Sequence, residues 1–130
     1  MIVVDASVII EVLLRTPVAS SLEDLIFSDD VTLHAPHLLD LEVAQVMRRY
    51  AIAGKVRPRR CREALEDLSN LPMTRYPHTV LLGRVWELRS NMIAYDAAYV
   101  ALAEAIDGPL LTRDRRLAQS SGHVADIKLV

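Results

Sequence analysis

The chain of 130 residues carries one cysteine, Cys61, so no internal disulfide can form, which suits a reducing compartment. Its four glycines, Gly54, Gly83, Gly108 and Gly122, are too scattered to build a phosphate-cradling loop. Aromatic residues make up 5% of the chain, so base stacking is not a dominant theme. No apolar run reaches the length of a bilayer, and the start lacks the basic segment of a secretory signal. The expectation is a soluble cytoplasmic protein with no membrane partner. A net charge of -2 excludes a globally basic nucleic-acid binder, though not a local basic patch. Lysine is nearly missing, with only Lys55 and Lys128.

What is present is core material. Hydrophobic residues are 52% and charged residues 25%, the balance of a folded domain rather than a disordered chain. The length fits one domain over residues 1–130, without repeats or a linker. Ile2-Val3-Val4 is a short β-branched run that stops at Asp5, and it reads as a buried central strand. A helix follows at once, capped by Ser7 or Asp5 and broken at Thr16-Pro17. Ala19 to Phe27 reads as a second helix. Val31 to Ala35 reads as a strand ended by Pro36, and His37 to Ala53 as a long helix closed by Gly54. Pro58 opens a helix to Asn70. Met73–Tyr76 is a strand, His78–Ser90 a helix, and Asn91–Ala94 a turn. Asp96 to Ile106 is a helix that is apolar nearly all round, hence buried. Leu110–Thr112 is a strand, Asp114 begins a short helix, and Ile127–Val130 is the last strand. Strands alternating with helices predict an α/β fold with a mostly parallel sheet.

Four acids stand out: Asp5, Glu42, Asp96 and Asp114. Each has a structural explanation by itself. Asp5 and Asp114 suit caps, Asp96 a helix N-terminus, and Glu42 a solvated helical face. The case for chemistry is joint. Asp5 and Asp114 follow apolar strands, Asp96 opens a helix too apolar to face water, and Glu42 lies early in the long helix. A parallel sheet binds ligands beyond the carboxyl ends of its strands, where all four would meet. Like charges at about 4 Å repel by about 4 kcal/mol at an effective dielectric of about 20, so such a cluster needs a neutralising partner or raised pKa values. Neither lysine falls there. An all-oxygen, acid-rich site suits Mg²⁺ or Mn²⁺ rather than zinc. Ser7 and Thr112 supply hydroxyls that would orient carboxylates or water, or else serve as plain caps. Arg113, Arg115 and Arg116 bracket Asp114 and would hold the flanking phosphates of a polynucleotide, or else form a solvated face. His34, His37, His78 and His123 read as structural or surface residues, because no thiol cluster accompanies them.

The segments IVVDAS, LDLEVAQVMRR, IAYDAAYVALAEA and LLTRD, in that order, resemble PIN-domain ribonucleases of the VapC type, the toxin half of a bacterial toxin–antitoxin pair. The resemblance covers the whole chain. By the residue-wise match Asp5, Glu42, Asp96 and Asp114 stand where that family keeps its metal-binding acids, with Thr112 and Ser7 as the matching hydroxyl positions. Asp40 is the backup to Glu42. The resemblance implies a homodimer, a cognate antitoxin and Mg²⁺-dependent endonucleolytic cleavage of RNA, with the metal on Asp5 and Asp96. Rival readings are a catalytically silent PIN-like binding module and a phosphatase with an aspartyl nucleophile. The phosphatase normally has a second acid two residues after the first, where this chain has Ser7, and also a lysine near the site.

Overall fold

The structure, a computed structural model, describes residues 1–130. Strand β1 (Ile2–Val4) leads into α1 (Ala6–Leu13) and α2 (Ala19–Ile26). After β2 (Leu33–Pro36) come α3 (Leu38–Ile52) and α4 (Pro58–Asn70), then β3 (Met73–Tyr76). A 3₁₀ turn (His78–Leu81) precedes α5 (Leu82–Glu87) and α6 (Ala94–Ile106). The chain closes with β4 (Leu110–Thr112), α7 (Arg115–Ala118) and β5 (Ile127–Leu129). The five strands form one sheet in the order β3-β2-β1-β4-β5, every neighbouring pair parallel. The expected α/β class with a parallel sheet is thus the observed one.

This order puts β1 in the middle. The chain steps outward from β1 through β2 to β3, then returns to the other side of β1 as β4. Successive connections therefore diverge at β1 and β4, which opens a crevice beyond their carboxyl ends. Val4 pairs with Leu111, so Asp5 and Thr112 emerge side by side. Val3 and Val4 are fully buried, as a central strand covered on both faces requires. Helix α6 packs on β1, β2 and β4, and its Ala97–Ala103 stretch is buried throughout.

Several boundaries differ from the sequence reading. Asp5 caps α1 and Ser7 lies inside that helix, because the Asp5 carboxylate accepts the Val8 N–H. Helix α6 starts at Ala94, which puts Asp96 within the first turn rather than at the start. The expected helix from His78 to Ser90 is a 3₁₀ turn followed by a short α-helix, and it exposes Val80 and Trp86 while burying Leu81 and Leu88. Only part of its apolar pattern meets the core, so packing does not extend the helix. Gly54 closes α3 with φ +72, a conformation that costs a glycine nothing.

Candidate active site

Asp5 is the centre of the crevice and is 6% exposed. Its Oδ1 accepts hydrogen bonds from Ser7 Oγ at 2.5 Å and from Val8 N at 3.3 Å. Its Oδ2 accepts one from the fully buried Thr112 Oγ1. The two hydroxyls also accept: Ser7 Oγ from Arg113 N at 2.8 Å, Thr112 Oγ1 from Asp114 N at 2.9 Å. Two short side chains thus tie the end of β1 to the end of β4 and orient both Asp5 oxygens. Burial pushes the Asp5 carboxyl above its ordinary range, against the hydrogen bonds from Ser7, Thr112 and Val8.

Glu42 reaches the crevice from the second turn of α3. Its Oε1 accepts a 2.6 Å hydrogen bond from Tyr99 Oη, and no hydrogen bond engages its Oε2. Burial raises the Glu42 carboxyl, the Tyr99 hydroxyl lowers it, and the nearby charges of Asp5 and Asp96 raise it again. Those three acids therefore share one neighbourhood. Tyr99 is 2% exposed, and its phenol is pushed well above the ordinary tyrosine range by burial and by Glu42. In the sequence Tyr99 is one residue of a helix that is apolar nearly all round. The signal was its spacing: Tyr99 lies three residues after Asp96, on the same side of α6. A buried tyrosine hydroxyl usually has a partner. Asp40 faces elsewhere. Its carboxylate takes two hydrogen bonds from Arg75 Nε, at 2.8 and 3.1 Å, and Arg75 is held in turn by the Leu68 carbonyl.

Asp96 has a side chain 14% exposed and contacts Arg116 Nη2 at 2.9 Å. That contact is ionic only. Asp96 Oδ2 is buried and receives no hydrogen bond of proper geometry. Asp114 caps α7, its Oδ1 accepting from Arg116 N and Leu117 N, while its Oδ2 contacts the same Arg116 Nη2 at 3.1 Å. The three arginines differ in their engagements. Arg113 pairs with Glu11 at 3.6 Å and donates to the Val130 carbonyl at 2.7 Å. Arg115 is exposed and makes no ion pair, and Arg116 leans over the acids.

No three of the Asp, Glu, His or Cys side chains converge on one point closely enough to chelate an ion as they stand. The chemistry of the donors nevertheless fits a hard divalent cation. They are all carboxylate oxygens, burial favours the neutral forms of Asp5 and Glu42, and Asp96 carries a buried oxygen that receives no hydrogen bond. Beside the acids lies an open cleft of about 700 Å³ whose lining includes Ser7, Glu42, His37, Leu41, Arg49 and Tyr95. No helix is long and apolar enough to cross a membrane.

A buried carboxylate group at the switch point of a parallel sheet defines a class, and comparison identifies it. A family model for the PIN domain matches residues 2–122. The chain belongs to the PIN-domain family. Within that family it is of the VapC type. It is 42% identical over 130 residues to the Mycobacterium tuberculosis protein called Ribonuclease VapC9, covering 100% of this chain and 98% of that protein. It is 40% identical over 129 residues to Ribonuclease VapC1 of the same organism, covering 98% and 96%. Among solved structures, PAE2754 from Pyrobaculum aerophilum shares the fold with a TM-score of 0.72 at 20% identity, covering 99% of this chain and 83% of that one. VapBC2 from Rickettsia felis, solved bound to a DNA fragment from its promoter, shares it with a TM-score of 0.68 at 12% identity, covering 98% of each chain.

Proposed function

We propose that this protein is a metal-dependent endoribonuclease and the toxin of a type II toxin–antitoxin pair, working with a cognate antitoxin and as a homodimer. The observation that carries the reading is the gathering of Asp5, Glu42 and Asp96 beyond β1 and β4, with Asp96 Oδ2 buried, without a hydrogen bond and facing only the guanidinium of Arg116. The ribonuclease names of full-length relatives support the choice of RNA. Asp5 and Asp96 would hold Mg²⁺ or Mn²⁺, with Asp114 as a further oxygen donor and Glu42 acting through a water. Such an ion offsets charge that develops on the phosphate and lowers the pKa of water.

The chain's own residues do the rest. Ser7 and Thr112 fix the two oxygens of Asp5, so the site needs little reorganisation during reaction. Glu42 is the better general base. Its Oε2 is free, whereas both oxygens of Asp114 are engaged by α7 and Arg116. Tyr99 aims the Glu42 carboxylate and leaves Oε2 to take a proton from the attacking water. Exposed Arg115 is available to flanking phosphates, and the exposed side chain of Arg116 also lies within reach of the strand. Arg113 is largely spent on Glu11 and Val130 and orders the rim of the site.

The test is cleavage of total RNA by protein freed of any bound antitoxin, with Mg²⁺ or Mn²⁺, with EDTA, and with Asp5→Asn and Asp96→Asn. Discrete metal-dependent fragments lost in both folded variants are the expected result. Cleavage that survives both substitutions overturns the carboxylate site. Neither cleavage nor metal binding leaves the silent binding module as the better reading.

A further inference from the structure

Arg116 is the only cation paired with any of the four acids. It reaches Asp96 Oδ2 at 2.9 Å and Asp114 Oδ2 at 3.1 Å, and it uses the same nitrogen, Nη2, for both. A guanidinium offers five donors in a planar fork and locks a carboxylate best when two of them act in parallel. Here one corner of the fork is shared between two carboxylates, and the contact to Asp96 lacks hydrogen-bond geometry. The Arg116 side chain is 65% exposed, so it is only lightly held in place. Its backbone is held differently, because Arg116 N donates to Asp114 Oδ1 and belongs to the cap of α7. The arrangement is a fixed base with a loose charged arm, which donates one hydrogen bond to Asp114 Oδ2 and acts on Asp96 as a point charge.

We infer that Arg116 is a displaceable internal cation: it neutralises the Asp96–Asp114 pair in the metal-free protein and swings out when a divalent ion takes its place. This rests on the metal-site reading above. Both cations would draw on the same two carboxylates, Asp96 and Asp114, so they would compete. Displacement leaves the cap of α7 intact, since Asp114 Oδ1 keeps its two backbone N–H donors. The released guanidinium regains its full fork and suits a phosphate oxygen of the nucleic acid better than it suits its resting place. The swing thereby links metal loading to substrate binding, because each event favours the same position of one arm.

The experiment measures Mn²⁺ binding by calorimetry to the purified full chain, wild type, Arg116→Gln and Arg116→Lys, after EDTA treatment and its removal. Because exposed ion pairs are weak, Arg116→Gln is expected to tighten Mn²⁺ by about two- to tenfold, with Arg116→Lys in between. Denaturant unfolding supplies a second readout. Arg116→Gln is less stable than wild type without metal, and saturating Mn²⁺ removes or reverses the deficit. A merely structural arginine would give the same deficit with and without Mn²⁺, and that result overturns the inference. So does unchanged or weaker Mn²⁺ affinity in Arg116→Gln while wild type binds Mn²⁺ and cleaves RNA. Absence of Mn²⁺ binding to wild type overturns the inference together with the metal site.

Discussion

At the scale of single residues, a carboxylate that accepts a proton from water must itself be ionised. Burial and the charges of Asp5 and Asp96 raise the pKa of Glu42, so activity falls as pH drops through a value above the ordinary glutamate range. Glu42→Gln lowers kcat by about 10²- to 10⁴-fold, the usual contribution of a general base, measured on a labelled oligoribonucleotide. Tyr99→Phe removes the hydroxyl that stabilises the ionised form. Its pH–rate profile therefore shifts to higher pH on the acid side, with the plateau little changed. An unmoved profile would take the proton transfer away from Glu42. Asp5 gives a stability prediction with a definite sign. Its folded pKa is raised, so its favourable contribution is complete below the unfolded value, about 3.9, and is lost as pH rises through the folded value. In EDTA at neutral pH, Asp5→Asn is expected to melt higher than wild type, and the gain disappears in acid. A lower melting temperature would mean that the hydrogen bonds from Ser7, Thr112 and Val8 outweigh the cost of burial.

At the scale of elements, the site depends on how β1 and β4 are held together. Asp107 ends α6 in the left-handed conformation with φ 53, and Gly108 follows against the first residue of the chain. A Cβ on Gly108 would lie 2.6 Å from the Met1 carbonyl oxygen, a backbone atom with little room to yield. Gly108→Ala must push the start of β1 away from β4. The expected cost is about 1–3 kcal/mol, read as a lower denaturant midpoint with an unchanged slope. Elements with strong punctuation are legible from sequence, as Pro58 at the first position of α4 and Gly54 behind α3 show. The stretch from His78 to Ser90 is less so. Its apolar residues satisfy a helical period, yet Val80 and Trp86 have no core to face, and the helix divides.

At the scale of the whole molecule, that same stretch leaves an apolar face in the open. Val80 is 72% exposed, Leu82 55%, Trp86 67% and Ile93 57%, a concentration unusual for a lone domain. Trp86 lines an open hollow of about 550 Å³ together with Leu82, Val85, Met92 and Ile93. An exposed apolar patch of this kind is a surface that a two-fold interface between copies would bury. Trp86→Glu is expected to shift the proposed homodimer toward monomer in light scattering, with unchanged circular dichroism. A variant with unaltered mass would move the dimer to another face.

The sequence by itself determined the α/β class, the central place of β1 and the candidate acids, because each rests on local signals. A β-branched run ending in Asp5 is a buried strand ending at a rim, and strands alternating with helices make a parallel sheet. Only the tertiary structure decided how the acids are held. Thr112 reaches Asp5 across 107 positions of chain and Tyr99 reaches Glu42 across 57. It also set Asp40 and Glu42, two residues apart on α3, in different surroundings, because Arg75 from β3 engages the first and Tyr99 from α6 the second. And it separated three neighbouring arginines into one tied to Glu11, one without an ion pair and one laid over the carboxylates. Periodicity and propensity act over a few residues, whereas these pairings arise when the sheet order brings distant segments to the same crevice.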